Sequence, residues 1–242
     1  MSFIARGVVV STSIRILRIT ILWLTACATI FVWAQTGSPS SSSSSASSQQ
    51  ARKSASAADS KLDSGTVSAG VYRNYAFGFT CKIPAGWVLR TEEINAREGE
   101  AEKADTGKKA TDAGRVLLAA FSRPPEARAE DVNASILIAA ESAAAYPGLK
   151  SAAQYFGPVT EVTKAQGFDV VEEPYEFVVG TKTVVRGDFK KDVGSRVMRQ
   201  STLVVLARGY AVSFTFIGGS QDEVEELVRG LSFVVGAKKS AP

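Results

Sequence analysis

A serine-rich segment, residues 35–66, limits more than any other feature how this chain can fold. Residues 40–45 are all serine, and no large apolar side chain appears in the segment before Leu62. Such a composition buries too little apolar surface to offset the entropy lost on ordering, so the sequence predicts a disordered linker. A folded domain is therefore expected on its C-terminal side, over residues 67–242, while residues 1–34 need a separate explanation.

Residues 1–34 have the pattern of a signal peptide. Three arginines precede an apolar run at residues 19–32, and Ala34 and Gln35 flank a site of the kind that signal peptidase cleaves. As a helix, this run of 14 residues would span about 21 Å, which is less than the apolar core of a bilayer, about 30 Å. The sequence therefore favours a cleaved signal peptide over a permanent membrane anchor.

A second interpretation of the leader is lipidation at Cys27. Residues 24–27, Leu-Thr-Ala-Cys, resemble the lipobox of bacterial lipoproteins, although the residues after Cys27 stay apolar where a tether is usually polar. Both routes export the rest of the chain, because the positive end of a leader stays in the cytoplasm. We expect a periplasmic or secreted domain that contacts a membrane only through its leader or a lipid on Cys27.

Composition excludes several classes of function. The chain has no histidine, so sites that need an imidazole base or ligand are ruled out. Once the leader is removed, Cys81 is the only cysteine, which rules out an intrachain disulfide and a cysteine-ligated metal site within one chain. We predict no metal, no cofactor and no catalytic residue.

The charge balance argues against a nucleic-acid partner. Six of the 28 basic residues and two of the 24 acidic residues precede residue 67, which leaves residues 67–242 with 22 of each. The net charge of +4 therefore belongs to the leader and linker. A nucleic-acid-binding domain usually carries a basic surface, and a neutral domain gives no reason to expect one.

Strand patterns dominate the region after the linker. Residues 75–83 alternate large and small side chains, which predicts one strand with a common apolar face. Two more apolar runs of strand length occupy residues 116–121 and 135–139. Residues 91–114 contain one large apolar residue, Ile94, so a helix there would have no face to bury and we expect a solvent-exposed excursion.

Two hairpins and two helices complete the pattern. Gly180-Thr181 and Arg208-Gly209 separate pairs of strand-like segments and are typical of tight hairpin turns. Residues 149–166 have an apolar stripe at helical spacing. Ser220 and Glu223 form a capping-box pattern at the start of a last helix, which Gly230 is expected to end with a positive φ. The sequence thus predicts an α+β fold, in which a largely antiparallel β-sheet packs with helices in a layered sandwich.

One constellation of charges stands out as a candidate binding surface. Period two along the strand that follows Gly180-Thr181 places four charged residues on one face, and two glutamates on the preceding strand are expected to lie across from them. The six residues are Lys182, Arg186, Asp188, Lys190, Glu172 and Glu176. We interpret them as a docking face for a protein partner; the alternative is an exposed face with cross-strand ion pairs worth about 0.2–1 kcal/mol each.

Several local phrases and the order of elements resemble the PsbP-like superfamily. The phrases are Tyr72-Arg73-Asn74, Phe77-Gly78-Phe79, Ile83-Pro84-Ala85-Gly86-Trp87, Gly167-Phe168-Asp169-Val170, Arg186-Gly187-Asp188-Phe189 and Leu231-Ser232-Phe233. In particular the chain is similar to exported bacterial members. The resemblance implies a binding or assembly role rather than catalysis. Photosynthetic members dock on photosystem II and help to retain calcium and chloride, but no residue here matches a docking or ion-retention motif.

These observations favour an exported, non-catalytic envelope module that binds a protein partner through the charged face. One alternative is a small-molecule or lipid-binding domain, which would need an apolar pocket of a few hundred Å³ with converging polar groups. Another is an assembly factor like the extrinsic subunits of photosystem II. An enzyme would instead need a cleft that holds carboxylates with raised pKa values.

Overall fold

The predicted hairpins assemble into two antiparallel sheets. The structure, a computed structural model, describes residues 62–106, 114–124, 126–127 and 131–233. The small sheet has the order β1-β2-β3-β11 and consists of β1 (Thr66–Ser68), β2 (Val71–Asn74), β3 (Phe79–Lys82) and β11 (Leu231–Phe233). The large sheet has the order β4-β5-β6-β10-β9-β8-β7 and consists of β4 (Val88–Leu89), β5 (Gly114–Phe121), β6 (Ser135–Ser142), β7 (Asp169–Val179), β8 (Lys182–Val193), β9 (Arg196–Ala207) and β10 (Tyr210–Gly218).

Three helices in the described part of the chain accompany the sheets: α1 (Thr91–Thr106), α2 (Ala152–Ala165) and α3 (Gln221–Arg229). A short 3₁₀ turn, Ala143–Ala145, links β6 to the segment before α2. The predicted α+β class, with antiparallel sheets and packed helices, is confirmed.

The main core lies between the two sheets. Phe79 of the small sheet meets Phe214 of the large sheet edge to face, with ring centroids 4.8 Å apart. The apolar stripe of α3, which includes Val224, Leu227 and Val228, joins the same core. Since this layer holds most of the buried apolar side chains, it supplies most of the hydrophobic free energy of folding.

A second core lies on the opposite face of the large sheet, beneath α2. Tyr155 and Phe156 of this helix pack with Phe189 and Val204 of the sheet. Gly187 allows the helix to approach closely, because a Cβ there would lie 2.6 Å from the Phe156 ring. The packing therefore depends on a residue without a side chain at this point of β8.

The prediction of one strand over residues 75–83 is confirmed only for residues 79–82, which form β3; it is wrong for the residues before them. Residues 75–78 form a turn, and Tyr75 is 79% exposed. Asn74 organises this turn, since its Oδ1 accepts from the Phe77 N–H at 2.9 Å and its carbonyl accepts from the Gly78 N–H at 2.9 Å. An Asn side chain that hydrogen-bonds within its own turn stabilises the turn at the expense of a continuous strand, and residues 75–78 form the turn for this reason.

The prediction of an excursion without a helix over residues 91–114 is also wrong, because α1 covers much of it. Ile94 is 1% exposed and packs on β5. The Thr91 Oγ1 accepts from the Ala119 N–H at 2.9 Å, and the Asn95 side chain exchanges two hydrogen bonds with the Val116 backbone. The helix is thus held by the apolar contact of Ile94 and by hydrogen bonds from its side chains to the backbone of β5. These bonds satisfy the part of the β5 edge that the short strand β4 does not reach.

The ends of α3 differ in detail from the predicted pattern. Ser220 caps the helix as expected, with its Oγ accepting from the Glu223 N–H at 3.1 Å, but Glu223 accepts from the Gly219 N–H at 2.7 Å instead of completing the box. Gly230 has a φ of −70°, not a positive φ. A Cβ there would lie 3.0 Å from the Leu227 carbonyl oxygen, so a close approach explains the glycine.

The signal peptide, its cleavage site at Ala34 and Gln35, the candidate lipidation site at Cys27 and residues 35–61 of the linker lie outside the described residues. The last residues assigned to the linker do contact the domain: Leu62 packs against the main core, and the Asp63 and Ser64 carbonyls accept side-chain hydrogen bonds. Within the described ranges, no helix has the length and apolar character needed to span a bilayer.

Candidate functional site

The six residues of the predicted docking face do not form one exposed surface. Lys182, Lys190, Glu172 and Glu176 are exposed, whereas Arg186 and Asp188 are buried. Glu172 lies opposite Asp188 in register, but Glu176 lies opposite Val185 and therefore points to the other side of the sheet. The position of Glu176 follows from the two-residue turn, because residues 175–179 pair with β8 in unbroken register; the shifts between Val170 and Tyr175 instead bring Glu172 opposite Asp188.

Arg186, which is 2% exposed, holds α3 against the sheet. Its Nε donates to both Asp188 oxygens at 3.1 and 3.0 Å, its Nη1 donates to Glu225 at 3.1 Å, and its Nη2 donates to the Ser201 Oγ at 2.9 Å. Hydrogen bonds from Arg186 also hold the pKa of Glu225 below its usual value. Since the guanidinium is already occupied by these acceptors, its role is structural and it is not available to a partner.

An open groove of about 320 Å³ lies beside this cluster, between the first turn of α2 and the β7–β8 hairpin. We call it the hairpin groove. Its lining residues are Ser151, Ala152, Ala153, Pro174, Tyr175, Glu176, Lys182, Thr183, Val184, Val185, Val204, Val205 and Leu206. Two of the six residues of the predicted docking face, Glu176 and Lys182, are thus among the residues that line the groove.

The groove lies where the first turn of α2 faces the β7–β8 hairpin. Ser151 caps the helix, with its Oγ accepting from the Gln154 N–H at 3.4 Å, while the Gln154 Oε1 accepts from the Ser151 N–H at 3.2 Å. This capping box sets the first residue of the helix. Val185 and Leu206, which belong to the core beneath α2, remain only partly buried at this end.

A buried acid lies beneath the same helix. Glu141 of β6 is 3% exposed and accepts a hydrogen bond from the Tyr146 hydroxyl. Tyr155 of α2 lies beside the carboxyl group and lowers its pKa, and its ring meets that of Tyr146 edge to face, with centroids 5.2 Å apart. Burial raises the pKa of Glu141 to about 7, since removing the charged form from water is costly.

A cavity of about 20 Å³ adjoins Glu141. Its lining combines apolar side chains with the polar side chains of Thr163, Gln200, Thr202, Ser213 and Thr215. A cavity of this size holds about one water molecule. The carboxyl group with the raised pKa therefore adjoins a space too small for a substrate.

Other chemistry has little support in the described residues. No group of three or more Asp, Glu, Cys or His residues among them is arranged to hold a metal ion. Cys81 is fully buried, and burial raises the pKa of its thiol to about 12. A thiol in that state is a poor nucleophile and packs as an apolar side chain.

Sequence reasoning missed both the hairpin groove and the Glu141 cluster. The groove depends on where α2 begins relative to the hairpin, and neither element alone carries that information. A signal for the buried acid is visible in hindsight, since Glu141 is the only charged residue of β6 and follows five apolar residues. The two tyrosines beside it come from separate segments and share no motif with it.

Comparisons with solved structures find similarity at the level of the fold. A cyanobacterial PsbP from Synechocystis is 14% identical, with 74% of this chain and 98% of that chain aligned at a TM-score of 0.41. The Ran-binding protein Mog1p of Saccharomyces cerevisiae is 16% identical, with 68% and 94% aligned at 0.37. LpqN, involved in cell envelope biogenesis of Mycobacterium tuberculosis, is 12% identical, with 64% and 83% aligned at 0.35.

The matched structures thus include a PsbP, as the resemblance to the PsbP-like superfamily leads one to expect. No protein-family model matches the chain, and no curated protein matches it. At these identities and TM-scores the likeness concerns the fold, and function is argued from the geometry of the chain itself.

Proposed function

We propose that this protein is an exported, non-catalytic module that binds an extended segment of a protein partner in the hairpin groove. The observation that carries the proposal is the groove itself, an open volume of about 320 Å³. Its lining combines apolar side chains, among them Val185, Val204 and Leu206, with the opposite charges of Glu176 and Lys182. An apolar centre with a polar rim is the usual anatomy of a protein interface.

The neighbouring edge strand favours an extended partner. Within the described residues β7 is the outermost strand of the large sheet, so its outer backbone groups have no strand partner. Residues 175–179 pair regularly with β8, and Val178 is 62% exposed. An extended segment can add to such an edge by main-chain hydrogen bonds while one of its side chains enters the adjacent groove.

The charge of β7 favours a basic segment. Four exposed carboxylates lie along this strand: Asp169, Glu172, Glu173 and Glu176. They attract lysine and arginine and repel another copy of the same edge, which protects the strand from self-association. We therefore expect a partner segment with an apolar anchor flanked by basic residues.

The test is a differential cross-linking experiment in the source organism. The full chain with a C-terminal tag would be compared with an Ala153→Trp variant, which fills the groove from the first turn of α2. The matched control is Ala165→Trp, which adds the same side chain at the other, exposed end of the same helix. Cross-linked proteins would be identified and quantified by mass spectrometry.

We expect one protein whose recovery falls by roughly tenfold or more in Ala153→Trp and is unchanged in Ala165→Trp, because loss of one anchor costs about 1.4 kcal/mol or more. A peptide from that protein, basic with an apolar anchor, should then bind the purified chain. Equal recovery with both variants would contradict binding in the groove.

A further inference from the structure

The surroundings of Glu141 contain no charge that could compensate an ionised carboxylate. Among the residues that the structure describes, no lysine or arginine contacts this carboxyl group. Its neighbours in register, Gly114 of β5 and Ala211 of β10, carry no titratable group. The titratable groups that face it are the hydroxyls of Tyr146 and Tyr155.

The other elements around the acid contribute neutral groups only. The cavity beside Glu141 is lined by Thr163 of α2 and by polar but uncharged side chains of β9 and β10. A neutral carboxyl can donate one hydrogen bond and accept others, so it fits a closed cluster with two hydroxyls. A carboxylate in the same place would still accept from the Tyr146 hydroxyl, and both tyrosines lower the pKa of Glu141, but burial has the larger and opposite effect. An ionised Glu141 would therefore draw water toward itself, because burying a charge without a counterion costs several kcal/mol.

The cluster is well placed to control α2. Tyr155 lies in the first turn of this helix, and Tyr146 lies in the segment that leads to it. Ala152 and Ala153 of the same turn line the hairpin groove. Water that enters to hydrate an ionised Glu141 would separate it from Tyr155 and would therefore move the wall of the groove.

We propose that Glu141, Tyr146 and Tyr155 form a proton-operated latch, in which the neutral carboxyl group holds the first turn of α2 against the sheet and ionisation releases it. Water enters the adjoining cavity when the carboxylate forms. The change occurs near neutral pH, since burial raises the pKa of Glu141 to about 7. The latch is a property of the domain alone; its effect on partner binding rests on the proposed function.

The latch is tested by hydrogen exchange of the full chain between pH 5.5 and 8.5, with rates corrected for the intrinsic pH dependence of exchange. We expect protection of the amides of residues 155–157, the first that bond within the helix, to fall by roughly tenfold between pH 6 and pH 8 in the natural sequence. Glu141→Gln, which mimics the neutral acid, should keep this protection at all pH values. Amides of α3 serve as the internal reference.

Glu172→Gln is the matched control, because it removes an exposed carboxylate from the same sheet and should leave the pH dependence of residues 155–157 unchanged. The proposal is overturned if protection in the natural sequence is independent of pH. It is also overturned if Glu141→Gln shows the same fall, or if the Glu141 carboxyl titrates near 4.5 by NMR.

A separate measurement tests whether the latch also controls partner binding in the hairpin groove. The cross-linking yield of the groove partner would be compared at pH 6 and pH 8 for the natural sequence and for Glu141→Gln. A yield that falls with pH only in the natural sequence supports control of the groove by the latch. A pH-independent yield, with the hydrogen-exchange result intact, would refute that control while the latch and the groove both remain.

Discussion

At the scale of single residues, the large sheet contains two buried acids with opposite environments. Asp188 is paired with Arg186, whereas Glu141 is surrounded by neutral hydroxyls. The sequence predicts Arg186 and Asp188 to be exposed, because period two places them beside Lys182 and Lys190. They are buried because α3 supplies Glu225 and covers them, which no local pattern in β8 indicates.

Arg186→Ala should lower the free energy of unfolding by about 3–5 kcal/mol, because the buried Asp188 would lose its compensating charge. Urea denaturation at neutral pH measures this change. Lys182→Ala removes an exposed charge from the same strand and should change stability by less than about 0.5 kcal/mol. Similar effects of the two substitutions would show that the Arg186 cluster is not structural.

The stability of the domain should depend on pH through Glu141. Its pKa is about 7 in the folded chain, compared with the ordinary value of 4.5, so the folded state binds more protons in this interval and stability falls as pH rises. Relative to Glu141→Gln, the free energy of unfolding should decline by about 3 kcal/mol between pH 4.5 and pH 7, then level off. Urea titrations at six or more pH values would reveal a flat difference if the prediction is wrong.

At the scale of elements, α1 shows why a polar segment can be helical. Among its residues 91–100, only Ile94 is buried, and this side chain provides the apolar anchor. Thr91 and Asn95 replace the missing strand partner of β5 by bonding to its backbone. Amphipathic periodicity detects helices that are held by apolar faces; it does not detect one that is held mainly by hydrogen bonds to a sheet edge.

The contact between α2 and β8 depends on Gly187. Gly187→Ala should destabilise the domain by about 1–3 kcal/mol, because the new methyl group would overlap the Phe156 ring. In a Phe156→Leu background the same substitution should cost less, which a double-mutant cycle of unfolding free energies measures. Additive effects would mean that the two residues do not compete for the same space.

At the scale of the whole molecule, the domain extends further toward the N-terminus than composition indicates. The buried Asn74 amide donates to the Asp63 carbonyl at 2.9 Å, and the Tyr72 hydroxyl donates to the Ser64 carbonyl at 2.8 Å. Leu62 also packs against the main core. The two acceptors are backbone carbonyl groups of a polar segment. Amino-acid composition describes side chains, so it does not indicate that these residues belong to the domain.

A chain that starts at residue 67 should therefore be less stable than one that starts at residue 62. Two side-chain donors would lose their partners, at about 1 kcal/mol or more each, which corresponds to a fall in Tm of roughly 4–8 °C for a domain of this size. Thermal unfolding followed by circular dichroism compares the two truncations. Equal Tm values would place the boundary where the composition changes.

The sequence by itself determined the elements whose signals are local: the two hairpins, the stripe of α2, the Ser220 cap of α3 and the antiparallel α+β class. Turn residues and side-chain periodicity are properties of a few neighbouring positions, so a short stretch of sequence is enough to detect them. The tertiary structure alone decided which charges are buried and where the groove lies. Burial depends on what a distant element places on a face, as α3 does over Arg186 and α2 does over Glu141.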